Sequence, residues 1–218
     1  MTNPKNSMAQ RLLAADLAIS NALSDEQVKT YLAEYGYDDT RLNEGKALYD
    51  TVQELQQKQT REYGEQYEAT DALNTKRAKA DAVYMNHVKI ARVALQENRG
   101  AFQKLNINGK RKASLSGWLA QATQFYINAT TDADIIAAMA KFNITEEKLL
   151  AGKQLIEETV SLNAAQEKEK GEAQQATVER DEALDALEFW LSDFFAIARI
   201  ALEEKPQLLE KLGIVEKS

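Results

Sequence analysis

The sequence has no cysteine, only two prolines and nine glycines, and a single histidine in 218 residues. Without cysteine, disulfides, thiolate metal sites and cysteine nucleophiles are excluded. Scarce proline and glycine, together with abundant Ala, Leu, Glu, Lys and Gln, are typical of long helices rather than of sheets or disordered chain. Strand patterns are also absent, so we predict an all-α protein.

Long apolar runs are missing as well, and no stretch approaches the roughly 20 apolar residues that cross a bilayer. The N-terminal stretch MTNPKNSMAQ is polar and lacks an apolar h-region. We therefore expect a soluble, cytoplasmic protein with no signal peptide and no membrane insertion. A net charge of −7 argues against a nucleic-acid partner, because nucleic acid requires a basic face.

What the sequence does contain is an internal repeat. A shift of 107 positions aligns residues 8–111 with residues 115–218 without a gap, and 27 of the 104 aligned pairs are identical. Such self-similarity indicates a tandem duplication. We predict two helical repeats, 8–111 and 115–218, joined by a linker near NGKRKAS and packed as one structural domain.

Helix ends are marked by Gly and Asn at aligned positions. Gly36 is aligned with Asn143, and Asn106 is aligned with Gly213. Gly and Asn enter the left-handed backbone conformation at the lowest cost. We therefore predict that each occupies the C′ position of a helix, followed by an apolar residue that folds back onto it.

Helix starts are marked by capping residues. Ser24 with Gln27 forms a possible capping box, and Thr131 is aligned with Ser24. Asp38 and Thr145 each precede an acidic first turn, which suits the helix dipole. Each repeat should therefore contain two short helices, a long helical region and a short closing helix.

The middle of the long region is almost wholly polar, in QQKQTREYGEQYEAT and again in NAAQEKEKGEAQQAT. Each segment contains a Gly and ends in a possible N-cap, Thr70 or Thr177. We predict a helical hairpin with an exposed tip, so that four arms form a pseudo-twofold four-helix bundle. The alternative is two very long continuous helices, because Gly costs only about 1 kcal/mol inside a helix.

Few patterns indicate chemistry. His87 is aligned with Phe194, which predicts a packed ring rather than a metal ligand or catalytic base. Gly45 and Gly152 each precede a lysine, as at the end of a phosphate loop, but the first Gly, the Ser or Thr and the preceding strand are missing. We predict close helix approach at these glycines. No catalytic residue, metal ligand or cofactor is expected, and we predict that the protein is not an enzyme.

Two arginines and an aromatic cluster are the remaining candidates. Arg92 and Arg199 interrupt an apolar run at aligned positions, which favours a structural role. The last arm of the second repeat carries four aromatic residues that are interaction candidates: Phe189, Trp190, Phe194 and Phe195. A helix that is apolar nearly all round must be buried, or must contact an unknown protein partner or a second copy of the chain. We favour burial in the core.

The stretch ARIALEEKPQLLEKLGI resembles the C-termini of uncharacterised bacterial helical proteins, and that resemblance implies no activity. We predict a non-enzymatic helical scaffold or protein-interaction protein. The alternative is a bundle that binds a small molecule, or acts as an enzyme, through a pocket between the two repeats, lined by Arg92, Arg199, Tyr84 and Trp190.

Overall fold

The computed structural model of the chain describes residues 7–214. Within that range 83% of the residues are helical and no strand is present, which confirms the all-α prediction. Most of the polar N-terminal stretch and the last four residues of the second predicted repeat lie outside residues 7–214. The helices are α1 (Met8–Ser24), α2 (Glu26–Ala33), α3 (Asp39–Ala94), α4 (Arg99–Lys104), α5 (Leu115–Ala129), α6 (Ala133–Ala140), α7 (Glu146–Ala201) and α8 (Pro206–Lys211).

The helix bounds follow the 107-residue offset. Each of α5 to α8 begins 107 residues after its counterpart among α1 to α4, and α3 and α7 are both 56 residues long. Residues 107 positions apart are called equivalent below.

All four predicted C′ residues have the left-handed backbone. Their φ angles are positive, at 82° for Gly36, 50° for Asn106, 61° for Asn143 and 73° for Gly213. In each case the next residue donates its N–H to a carbonyl five residues earlier, for example Tyr37 to Leu32 at 3.0 Å. This bond and the buried Tyr37 side chain complete a Schellman motif, so this prediction is confirmed.

The predicted starts of the second short helices are wrong by one residue. The N-caps are Asp25 and Asp132, whose carboxylates accept hydrogen bonds from first-turn amides at 3.0–3.3 Å. Ser24 instead ends α1, and Thr131 precedes the cap. A carboxylate suits the positive end of a helix better than a hydroxyl does, which explains the displacement. The caps predicted at Asp38 and Thr145 are confirmed.

The predicted hairpin is wrong, and the alternative of two very long continuous helices is correct. Gly64 and Gly171 lie inside α3 and α7, and Thr70 donates its hydroxyl proton to the Gln66 carbonyl of the same helix instead of capping a new one. One glycine costs a helix only about 1 kcal/mol, which is too little to break it. At 1.5 Å per residue each helix has a contour length of about 84 Å.

Two compact units divide the chain between them. The first unit consists of two segments, one that ends at Glu62 and one that begins at Glu172, and the second unit consists of Tyr63–Gly171. Both long helices therefore contribute to both units. Each unit combines the early helices of one predicted repeat with the closing helices of the other, and each has its own hydrophobic core.

Long polar side chains link α3 to α7 within each unit. In the first unit Lys58 pairs with Glu179 at 2.7 Å, and in the second Lys76 pairs with Glu158 at 2.7 Å. Such half-exposed pairs contribute little to stability. A hydrogen bond from Gln59 to the Thr177 hydroxyl, at 3.0 Å, joins the two polar middle segments predicted as hairpin tips.

Candidate functional site

The four aromatic interaction candidates lie on α7 in the first unit, but in different surroundings. Phe194 is fully buried, and Trp190 and Phe195 are partly buried against the same core. Phe189 is 74% exposed. The predicted burial of this helix in the core therefore holds on one side of the helix and is wrong at Phe189. Phe189 is the one candidate of the four whose side chain is mostly exposed.

Trp190 belongs to an aromatic cluster with Tyr37 and Phe194. Its ring stacks on Phe194 with centroids 5.1 Å apart, and Tyr37 packs edge-on against both rings. Gly45 on α3 makes room for the indole, because a Cβ atom there would lie 2.6 Å from Trp190 Cζ2. The close approach predicted at this glycine therefore involves an aromatic ring.

The equivalent glycine, Gly152, makes room for a different ring in the second unit. A Cβ atom at Gly152 would lie 2.5 Å from Tyr126 Cε1. The Tyr126 hydroxyl lies at hydrogen-bond distance, 3.0 Å, from His87 Nδ1, and both side chains are buried. Burial lowers the pKa of His87, with the Lys148 cation adding to the effect, and burial raises the pKa of Tyr126. His87 thus has the packed position predicted for it.

The two equivalent arginines bond differently. Arg92 donates from Nε to the Ile107 carbonyl at 3.0 Å and from Nη2 to the Gly109 carbonyl at 2.8 Å, which holds the chain that follows α4. Arg199 is exposed and donates to the Phe195 carbonyl of its own helix at 3.2 Å. Of the other two residues predicted to line a pocket, Tyr84 belongs with Arg92 to the second unit, and Trp190 belongs with Arg199 to the first.

An apolar groove of 310 Å³ lies between α5 and α7 in the second unit, and we call it the α5–α7 groove. Its lining residues recur at i, i+3 and i+4, and so lie on one face of each helix: Thr123, Tyr126 and Ile127 on α5, and Lys153, Ile156, Glu157 and Val160 on α7. Ile127 and Val160 are 49% and 47% exposed, so the groove presents apolar side chains to solvent.

The equivalent positions in the first unit are polar and hydrogen-bonded. Asp16, Ser20 and Gln53 stand where the groove has Thr123, Ile127 and Val160. Ser20 donates to Asp16 at 3.1 Å, and Gln53 donates to the hydroxyl of Tyr49, the equivalent of Ile156, at 2.7 Å. Sequence reasoning missed this site, and the only signal available was the exchange of Ser20 for Ile127 and of Gln53 for Val160 between the repeats.

Two further grooves occupy corresponding places in the two units. In the second unit a groove of 720 Å³ between α6 and the start of α4 is lined in part by Val93 and Phe142. In the first unit a groove of 690 Å³ between α2 and the start of α8 is lined in part by Tyr31 and Leu208. We call these the paired grooves.

Exposed apolar residues recur at equivalent positions near the paired grooves, and in the second unit they line the groove. Among the large apolar side chains exposed in residues 7–214, two pairs are equivalent: Tyr35 with Phe142, and Val93 with Ile200. Every other residue of this kind in that range has a small or polar equivalent. The two pairs are 46–55% exposed. Val93 and Phe142 line the groove of the second unit, whereas the residues that line the first unit's groove do not include Tyr35 or Ile200.

Searches against protein-family models, curated protein sequences and solved structures gave no match. Within residues 7–214 no helix has a stretch both long and apolar enough to span a bilayer. Function must therefore be inferred from the residues of the chain itself.

Proposed function

We propose that the protein is a non-enzymatic helical scaffold that binds another protein chain through the paired grooves. The observation that carries this proposal is the presence of exposed apolar side chains at equivalent positions, Tyr35 with Phe142 and Val93 with Ile200. Exposed apolar residues are normally scattered singly, and clusters of them mark interaction sites. Their recurrence in repeats that share only 27 of 104 residues favours a common binding role.

An ion pair between the helices that border each groove also recurs at equivalent positions. Lys104 of α4 pairs with Asp132, the N-cap of α6, at 2.7 Å. The equivalent Lys211 of α8 pairs with Asp25, the N-cap of α2, at 2.5 Å. Each pair joins the two helices that border a groove, so both grooves have the same local construction. A tandem duplication accounts for this, and it gives the chain two sites of one type.

Site-specific photo-crosslinking tests the proposal. The photoreactive p-benzoylphenylalanine is introduced at Phe142 or at Tyr35, in cells that express the full chain. As the matched control it is introduced at Tyr67, which is 64% exposed and is equivalent to a glutamine. We expect adducts of the same mass from positions 35 and 142 and none from position 67.

An adduct of two chain masses would identify the partner as a second copy of this chain. Equal adducts from all three positions, or none from 35 and 142, would refute a role for the paired grooves. Phe189 remains a separate interaction candidate, testable in the same way. The α5–α7 groove favours small-molecule binding as the alternative function, at a site within the second repeat rather than in a pocket between the two repeats.

A further inference from the structure

The α5–α7 groove is more apolar than its equivalent in the first unit at Ile127 and Val160, although Tyr126 stands where the first unit has Ile19. Where the first unit has Asp16, Ser20 and Gln53, the groove has a threonine, Ile127 and Val160. Ile127 and Val160 remain about half exposed, at 49% and 47%, so they add less to the core than a buried residue would. A concave apolar surface with a few polar groups is typical of a ligand site.

The dimensions of the groove fit a small molecule rather than a protein. Seven residues line it, whereas a stable protein interface takes about 20–30 residues on each side. Its volume of 310 Å³ lies at the lower end of the range for ligand pockets, roughly 300–1,000 Å³. The occupant is therefore compact, with an apolar part that matches Ile127, Ile156 and Val160.

Two charged residues line the groove, Lys153 and Glu157. The Glu157 side chain is the more exposed of the two, so we take Lys153 as the group that sets the charge of the ligand. The Lys153 ammonium lies 3.8 Å from a Glu157 carboxylate whose side chain is 65% exposed. Such a loose, solvated pair costs little to open. The equivalent Lys46 bonds to Asp50, and its pKa is raised chiefly by that bond, with Asp16 also contributing.

In the second unit Thr123 stands at the position equivalent to Asp16, so Lys153 lacks one of the two carboxylates that surround Lys46. The groove thus combines an apolar wall with a lysine whose ion pair, Lys153 with Glu157, is longer than the equivalent pair of Lys46 with Asp50. We infer that the α5–α7 groove binds a small amphipathic carboxylate of the medium-chain fatty-acid class. The hydrocarbon chain contacts Ile127 and Val160 above the buried Ile156, and the carboxylate pairs with Lys153.

Methyl NMR of the full chain tests this site directly. Sodium decanoate, kept below its micelle-forming concentration, is titrated into protein labelled with ¹³C at the isoleucine δ1 methyl groups. We expect saturable shifts at Ile127 and Ile156. Ile19, which is equivalent to Tyr126 and fully buried in the first unit, provides an internal control and should not shift.

A matched pair of variants locates the apolar contact. Val160→Gln introduces the residue of the first unit, and we expect it to weaken decanoate binding about tenfold, the effect of losing between one and two buried methylene groups. Val178→Gln changes another half-exposed valine of α7, which lies in the first unit, and should leave binding unchanged. Both positions are on the surface, so both variants should fold.

The carboxylate contact is tested with Lys153→Gln and with other ligands. We expect Lys153→Gln to weaken decanoate about fivefold, the upper effect of an exposed ion pair, and decanol and decylammonium to bind wild-type protein more weakly than decanoate. Equal binding of the three ligands would overturn the assignment to a carboxylate. Absence of shifts at Ile127 and Ile156, or equal effects of Val160→Gln and Val178→Gln, would overturn the site itself. Because these residues lie outside the paired grooves, neither outcome bears on the protein-binding role proposed above.

Discussion

Gly45→Ala should destabilise the first unit, although the same exchange inside an exposed helix normally stabilises it. Alanine gains about 1 kcal/mol of helix propensity over glycine. At Gly64, where nothing lies within 4 Å of the new Cβ atom, that gain should appear in full. At Gly45 the Cβ atom would lie 2.6 Å from Trp190 Cζ2 and Cζ3. The indole has little freedom to move, because it stacks on Phe194 and contacts Tyr37 edge-on.

The magnitude follows from these two terms. Overpacking of a well-filled core costs about 1–3 kcal/mol, which exceeds or cancels the propensity gain. We therefore expect Gly45→Ala to be about 1–3 kcal/mol less stable than Gly64→Ala. Trp190→Phe removes the ring atoms that overlap the new Cβ atom. In the Trp190→Phe background, Gly45→Ala should thus become neutral or stabilising.

Urea unfolding followed by far-UV circular dichroism measures the double-mutant cycle formed by Gly45→Ala and Trp190→Phe. The two residues are in contact and lie in one unit, so the coupling free energy should be at least about 1 kcal/mol. A Gly45→Ala variant as stable as Gly64→Ala, or a coupling near zero, would show that the glycine does not serve to admit the indole.

Burial holds the pKa of His87 below its value in the unfolded chain. Below about pH 6.5 the unfolded state therefore binds more protons than the folded state. As the pH is lowered through this range, the unfolding free energy should fall by at most about 1.4 kcal/mol per pH unit. Urea titrations between about pH 5 and pH 7 should show this slope in wild type and a flatter one in His87→Phe. Arg92→Met should lower the free energy of unfolding by about 1–3 kcal/mol, because two carbonyls lose a charged donor. Arg199→Met should change it by less than about 0.5 kcal/mol. Equal effects in thermal melts would contradict the hydrogen bonds described for the two arginines. Asp25→Ala should cost about 0.5–2 kcal/mol and Ser24→Ala almost nothing in the same melts, and the reverse order would restore Ser24 as the cap.

Local rules were sufficient for the helix ends. The exchange of Gly for Asn between Gly36 and Asn143 predicted a left-handed residue at both positions, and the φ angles confirm it. The prediction succeeded because the backbone conformation at a C′ position depends on the residue itself and its near neighbours. The caps predicted at Ser24 and Thr131 are wrong by one residue, since the observed N-caps are Asp25 and Asp132.

The continuity of α3 and α7 could not be decided locally. A polar segment with a glycine is compatible with a turn and with an exposed helix, and the difference is about 1 kcal/mol. Polar contacts such as Lys58 with Glu179 join residues far apart in sequence, so they leave no local pattern. The α5–α7 groove was missed for a related reason, since Ile127 and Val160 fit a core stripe equally well until their exposure is known.

The composition of the units has a consequence for synthesis on the ribosome. The second unit, Tyr63–Gly171, is continuous in sequence and has all its helices once residue 171 has emerged. The first unit begins earlier but lacks the α7 and α8 residues of its core until the segment from Glu172 onward follows. At about 5–20 residues per second, the apolar faces of α1, α2 and early α3 wait about 5–30 seconds for their partners. The half of the protein that is translated first is therefore the half that needs protection longest, and a stalled chain would expose it.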